Sequence, residues 1–129
     1  MNKIITAESI SPPTGAYSQA ILVSAPVNLL YIAGQVPIAK DLTVPHDFVE
    51  QCELVWHNIN IILSAAGMSM NDVVKMQGYI TNSMYRDKYR EVRERMLGAA
   101  RPASTLIVVP ALGQPEWLVE IDAVAAQNK

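Results

Sequence analysis

Apolar residues recur along this chain with two different periods, and glycine or proline marks most places where the period changes. From Arg101 to Ala125, RPASTLIVVPALGQPEWLVEIDAVA, the pattern predicts two strands, about 104–109 and 117–125. A loop carrying Pro110, Gly113 and Pro115 joins them. Leu106, Ile107, Val108 and Val109 form an apolar run of high β propensity with proline near both ends, which suits a strand better than a helix. In the second strand, alternation sets Leu118, Glu120, Asp122 and Val124 on one face and Trp117, Val119, Ile121, Ala123 and Ala125 on the other. Two carboxylates inside so apolar a strand must be solvated at an edge, paired, or turned toward a cleft.

Earlier in the chain, residues 3–6 predict a short strand before the turn cluster at 11–15. Further strands follow at about 18–24 and at Leu29–Ala33, with a turn at Pro26-Val27-Asn28, so 18–34 reads as a hairpin ended by Gly34-Gln35-Val36-Pro37. Asp47 and Glu50 have capping-box spacing. Behind them Phe48, Cys52, Val55, Ile59, Ile62 and Ala66 form an amphipathic helical stripe, with Gly67 as its stop. Residues 72–81 alternate again, Val74, Met76, Gly78 and Ile80 against Lys75, Gln77 and Tyr79. Tyr85, Tyr89, Val92 and Met96 mark a second helix, closed by Gly98. Its charges pair at i,i+4 as Arg90–Glu94 and Glu91–Arg95, which reads as a solvated, salt-bridged face; the alternative is a basic binding surface.

The resulting order is β-β-β-α-β-α-β-β, an α/β (α+β) domain with two helices on one face of a single mixed sheet. The other face is left bare, and it carries enough Val, Ile, Leu and Ala to predict packing against further copies of the chain. Composition points the same way: 129 residues make one domain, 50% of them hydrophobic and 17% charged. The net charge of −2 provides no electrostatic footprint for nucleic acid. Cys52, alone of its kind and on the buried stripe, excludes an internal disulfide and reads as a small core hydrophobe. No apolar stretch reaches transmembrane length and MNKIITAESISPP has no signal-peptide core, so a cytoplasmic protein without membrane attachment is expected.

Standard catalytic patterns are missing. His46 and His57 stand eleven apart with no further ligand at metal spacing, so no metal is expected. There is no G-x-S-x-G, no glycine-rich phosphate loop and no C-x-x-C. Candidate chemistry is confined to Tyr17, the backbone at Gly34, the 102–106 segment and Glu120.

Six blocks carry a resemblance: GAYSQA at 15–20, IAGQVP at 32–37, QCELVWHNINIILSAAG at 51–67, DVVK at 72–75, PAST at 102–105 and VEIDAVA at 119–125. In that order they resemble the reactive intermediate deaminase (RidA/YjgF) family. The resemblance implies a chorismate-mutase-like fold, a homotrimer whose sheets close into a central barrel, and ligand clefts between subunits. It implies cofactor-independent hydrolysis of small enamines and imines, such as 2-aminoacrylate, to 2-keto acids and ammonia. By the same resemblance Tyr17 walls the cleft, Ala33 and Gly34 bring backbone to the ligand, Ser104, Thr105 and Leu106 line it, and Glu120 positions the attacking water. Each has a plainer alternative: an interface aromatic, a strand-end turn, ordinary strand residues and a buried acid.

Active imine deaminases of that family read P-A-R-[ST], with the arginine forked onto the substrate carboxylate. Here the residues are Pro102-Ala103-Ser104-Thr105, and a gap at this point fits equally; the arginine is missing either way. Arg101 lies three residues earlier, at an odd offset that directs it elsewhere. Losing a bidentate contact of about 1.5–3 kcal/mol predicts weak 2-imino-acid deamination and a raised activity in Ser104→Arg. A non-catalytic ligand-binding or regulatory trimer is the second reading. A ribonuclease or translation inhibitor is the third, and the charge argues against it.

Overall fold

The computed structural model describes residues 2–25 and 27–128. The elements are β1 (Lys3–Ile5), β2 (Ala20–Leu22), β3 (Val27–Gln35), α1 (Phe48–Ala65), β4 (Val73–Ile80), α2 (Arg86–Leu97), β5 (Ala103–Val108) and β6 (Val119–Asn128), in the predicted order. Short 3₁₀ turns at Met70–Asp72 and Ser83–Tyr85 lead into β4 and α2.

The main sheet is mixed, in the order β3-β6-β4-β5. β6 runs antiparallel to both β3 and β4, and β4 runs parallel to β5 through the crossover helix α2. β5 and β6 therefore have β4 between them. The expected 18–34 hairpin does not form: β2 pairs with β1, and β3 pairs with β6 from the other end of the chain. Of its expected turn, Pro26 lies outside the described residues, while Val27 and Asn28 already belong to β3. A nine-residue apolar strand gains more by pairing along most of β6 than beside a three-residue one. The β1–β2 ribbon joins the main sheet through a bridge from Ser18 to Ala103.

Both helices cover the face of the sheet that carries Met76, Ile80, Val119, Ile121 and Ala123, all buried with Val55, Ile59 and Leu63 of α1 and Tyr89 and Val92 of α2. The α1 stripe is turned slightly from expectation, since Trp56 and Leu63 are buried whereas Ala66 is exposed. Asp47 caps α1 by accepting from the Glu50 backbone N–H at 3.2 Å, half of the expected capping box. Gly67 ends the helix at φ 71°, where a side chain would be strained. Gln51 is buried on the same helix. Its amide donates to the carbonyls of Pro45 and Glu116 and accepts from the Leu118 N–H, each at 2.8 Å, so it stitches α1 to the segment preceding β6. β6 begins at Val119 rather than 117 because Trp117 N–H closes a turn onto Gln114.

The second face has no helix on it. β6 alternates buried and half-buried residues as expected, which places Glu120, Asp122 and Val124 on this face. Its margins are apolar (Leu29, Tyr31, Ile107), but its centre is polar. There Tyr79 donates to Asp122 at 3.0 Å and to Gln77 at 3.1 Å, and Lys75 donates to Thr105 at 3.1 Å.

Candidate functional site

The candidate residues fall into two groups on opposite faces of the sheet. The first begins with the loop before β2. Ser18 N–H bonds the Pro102 carbonyl at 2.9 Å and its hydroxyl bonds the Arg101 carbonyl, which pins the loop to the start of β5. Tyr17 is thereby held over α2, its ring 5.9 Å from the Arg93 guanidinium carbon; the Tyr89 ring lies 5.8 Å from the same atom. Ser104 and Leu106, opposite Met76 and Gly78 in register, face this helix-covered side. Together with Thr14, Arg86, Arg90 and Arg93 they and Tyr17 line a cavity of about 180 Å³.

Arg93 corrects the expected solvated face of α2, for it is 5% exposed. It reaches Ser104 Oγ only at 3.5 Å, and its Nε is buried without a partner. Arg90 donates to the Thr14 carbonyl at 2.6 Å, and Arg95 pairs with Glu53 of α1 at 2.9 Å; the expected Arg90–Glu94 and Glu91–Arg95 pairs are not made. Burial lowers the Arg93 pKa from its ordinary value, opposed by Tyr89 and reinforced by Arg90. The Tyr17 phenol is lowered first by its hydrogen bond from Thr14 N–H; burial opposes this, and the charges of Arg93 and Arg90 add to it. Arg101 is spent elsewhere, donating to the carbonyls of Gly98 and Ala100 at 2.7 Å beyond the end of α2.

The second group lies on the open face. Glu120, opposite Tyr79 in register, rests on Gly34: a methyl there would stand 2.9 Å from Glu120 Cδ. Burial raises the Glu120 pKa, and the neighbouring Asp122 raises it further. Ala33 and Gly34 are both exposed at a register shift between β3 and β6, with Gln35 donating to the Ala33 carbonyl at 3.0 Å. Thr105 faces this side too, held by Lys75. Asp122, taken as structural, accepts from Tyr79. One copy of the chain therefore unites Tyr17, Ser104 and Leu106, and separately Gly34 and Glu120, but does not unite the two groups.

Sequence reasoning missed Arg86, Arg90 and Arg93 as one set. Their spacings of four and three place all of them on one helical stripe, and that was the available signal. Among the described residues, a depression of about 200 Å³ beside β1 has Arg101 as its only charged lining residue, already bonded as above. Among the described residues no cluster of three His, Cys, Asp or Glu side chains could hold a metal, and no helix is long and apolar enough to cross a membrane.

A mixed four-stranded sheet with two helices on one face, an acid on a glycine and an aromatic-walled cavity define a small α+β protein with a half-site on each face of its sheet. The Endoribonuclease L-PSP family model matches residues 8–127, and the chain belongs to that family, the RidA/YjgF family. It is 38% identical to a RutC family protein of Pyrococcus horikoshii, over 97% of this chain and 98% of that one. It is 27% identical to the Escherichia coli protein TdcF, described as a putative reactive intermediate deaminase, over 99% of both. A Yersinia pestis protein of the conserved Rid family, of unknown function, has the same fold with a TM-score of 0.88, 28% identity and 98% of each chain covered.

Proposed function

We propose that this protein is a cofactor-independent hydrolase of small imines, enamines or related metabolites, acting in the cytoplasm as a homotrimer with its clefts between subunits. The observation that carries the reading is the raised Glu120 carboxyl seated on Gly34, on a sheet face that no helix covers. Two half-sites on opposite faces of one chain form a complete cleft only if a neighbouring copy brings its own Glu120 and Gly34 to the Tyr17 side. In that cleft water adds to the imine carbon, the C–N bond breaks, and ammonia leaves a ketone or keto acid. Glu120 takes a proton from the water and returns it to nitrogen, the task for which a carboxyl shifted toward neutrality is suited. Tyr17 walls the ligand, and Ser104 and Leu106 set its fit. The solved E. coli TdcF structure, 26% identical with a TM-score of 0.73, is described with bound serine, which supports a small amino-acid-like ligand.

The test has two arms. Light scattering is expected to give three copies of the 14.2 kDa chain, about 43 kDa; a monomer at micromolar concentration removes the shared cleft. Glu120→Gln is expected to lower ketoacid release from an enzymatically generated imine by ~10²–10⁴ with the trimer intact. Unchanged turnover leaves the mechanism without its base, and a parent that binds ligand without turnover favours the regulatory reading.

A further inference from the structure

The cavity beside Tyr17 has a charge balance that the hydrolase reading does not explain. Three of its lining residues are arginines, from successive turns of α2, and none that this copy supplies is acidic, so the single Glu120 of a neighbouring copy would leave two positive charges unmatched. Arg93 is 5% exposed, with five N–H donors, one long contact to Ser104 and a buried Nε that bonds nothing. A guanidinium in that state lacks partners that a ligand can supply. Gly15 leaves room for them: a methyl on it would stand 3.0 Å from Arg93 Nη2 and 3.1 Å from Arg90 Nη2. Two aromatic rings flank the Arg93 guanidinium, so it is fixed in direction.

We infer that Arg93, with Arg90 and Arg86, forms an anion subsite that takes a doubly charged oxyanion, a phosphomonoester or dicarboxylate group, in place of the single strand arginine absent at Ser104. A monocarboxylate neutralises one of the guanidiniums and leaves the others repelling each other inside a small, partly desolvated volume. A dianion offers enough oxygen acceptors and charge for a bidentate contact to Arg93 and further contacts from Arg90 and Arg86. The subsite takes the cleft of the proposed function as the place where ligand sits, but binding there needs no turnover.

The experiment is calorimetric titration of the full chain with inorganic phosphate, malonate and acetate at low ionic strength and mildly alkaline pH. Phosphate or malonate is expected to bind at least about tenfold more tightly than acetate, and less tightly as salt rises. Phosphate alone marks a phosphomonoester ligand, malonate alone a dicarboxylate. Arg93→Gln is expected to weaken the dianion about 10–100-fold. Because Arg93 is buried, Arg90→Gln and Arg86→Gln at the rim give an independent reading if that variant does not fold; each is expected to weaken the dianion severalfold. Acetate binding as tightly as the dianions overturns the ligand class. No binding, or binding indifferent to all three arginine variants, overturns the subsite. Lost ketoacid release with phosphate binding intact defeats the hydrolase reading alone.

Discussion

Adding one methyl group at two different glycines is expected to have opposite consequences. At Gly78 an alanine Cβ would stand 2.6 Å from Tyr89 Cζ and 2.9 Å from its Cε2, with the phenol oxygen closer still. Carbon contacts settle near 3.5–4.0 Å, so the ring must retreat by about 1 Å. Tyr89 is fully buried beneath Arg93 and has no space for that retreat. Overpacking of this kind costs about 1–3 kcal/mol, less the ~0.4–1 kcal/mol that a Gly→Ala change returns by restricting the unfolded chain. At Gly34 the methyl would stand 2.9 Å from Glu120 Cδ and 3.3 Å from Cγ, but these belong to a half-buried side chain that can swing outward. Gly34→Ala is therefore expected to leave stability within ~0.5 kcal/mol of the parent while Glu120 moves into solvent. Its pKa then falls back toward the ordinary carboxylate range and turnover drops. Urea denaturation measures the first effect as a lower midpoint at unchanged slope; NMR titration of the Glu120 carboxyl, with ketoacid release, measures the second. A Gly78→Ala protein as stable as its parent, or a Gly34→Ala protein with the Glu120 titration and turnover unaltered, refutes the packing described here.

Three further outcomes follow from the same contacts. Because the folded state raises the Glu120 pKa, the stability linked to this group is full below the ordinary glutamate range and is lost as pH rises through the folded value. Glu120→Gln should thus be more stable than the parent at neutral pH, with the gap closing in acid; equal denaturation midpoints at neutral pH would contradict this. The Cys52 thiol, buried and pushed up to about 12, is expected to resist maleimide at neutral pH in the native protein and to react on unfolding, as mass spectrometry can follow. Ser104→Arg alone would set a second guanidinium beside buried Arg93, so Ser104→Arg with Arg93→Phe, which moves the charge from helix to strand, should release ketoacid from 2-imino acids faster than Ser104→Arg; the reverse order would show that Arg93 does not compete for that position.

Local patterns were enough to place the elements and the strand faces, and most of the helix faces. Alternation in VEIDAVA set Glu120 and Asp122 apart from Ile121 and Ala123, because a strand exposes every second residue whatever it pairs with. Four-and-three spacing found Phe48, Cys52, Val55 and Ile59, and Gly67 marked the end of their helix. The motif blocks revealed the family. Which strands meet was not available locally. β3 left its neighbour β2 for β6, from Val27 against Asn128 to Gln35 against Ile121, because pairing energy is collected between segments a hundred residues apart. Arg93 shows the same limit at the site. An arginine in a charged helix has the same sequence pattern whether it meets water or two tyrosines. Only the docking of the Gly15–Ser18 loop onto β5 brought Tyr17 over it and turned an expected salt-bridged surface into a cationic cavity with one buried arginine.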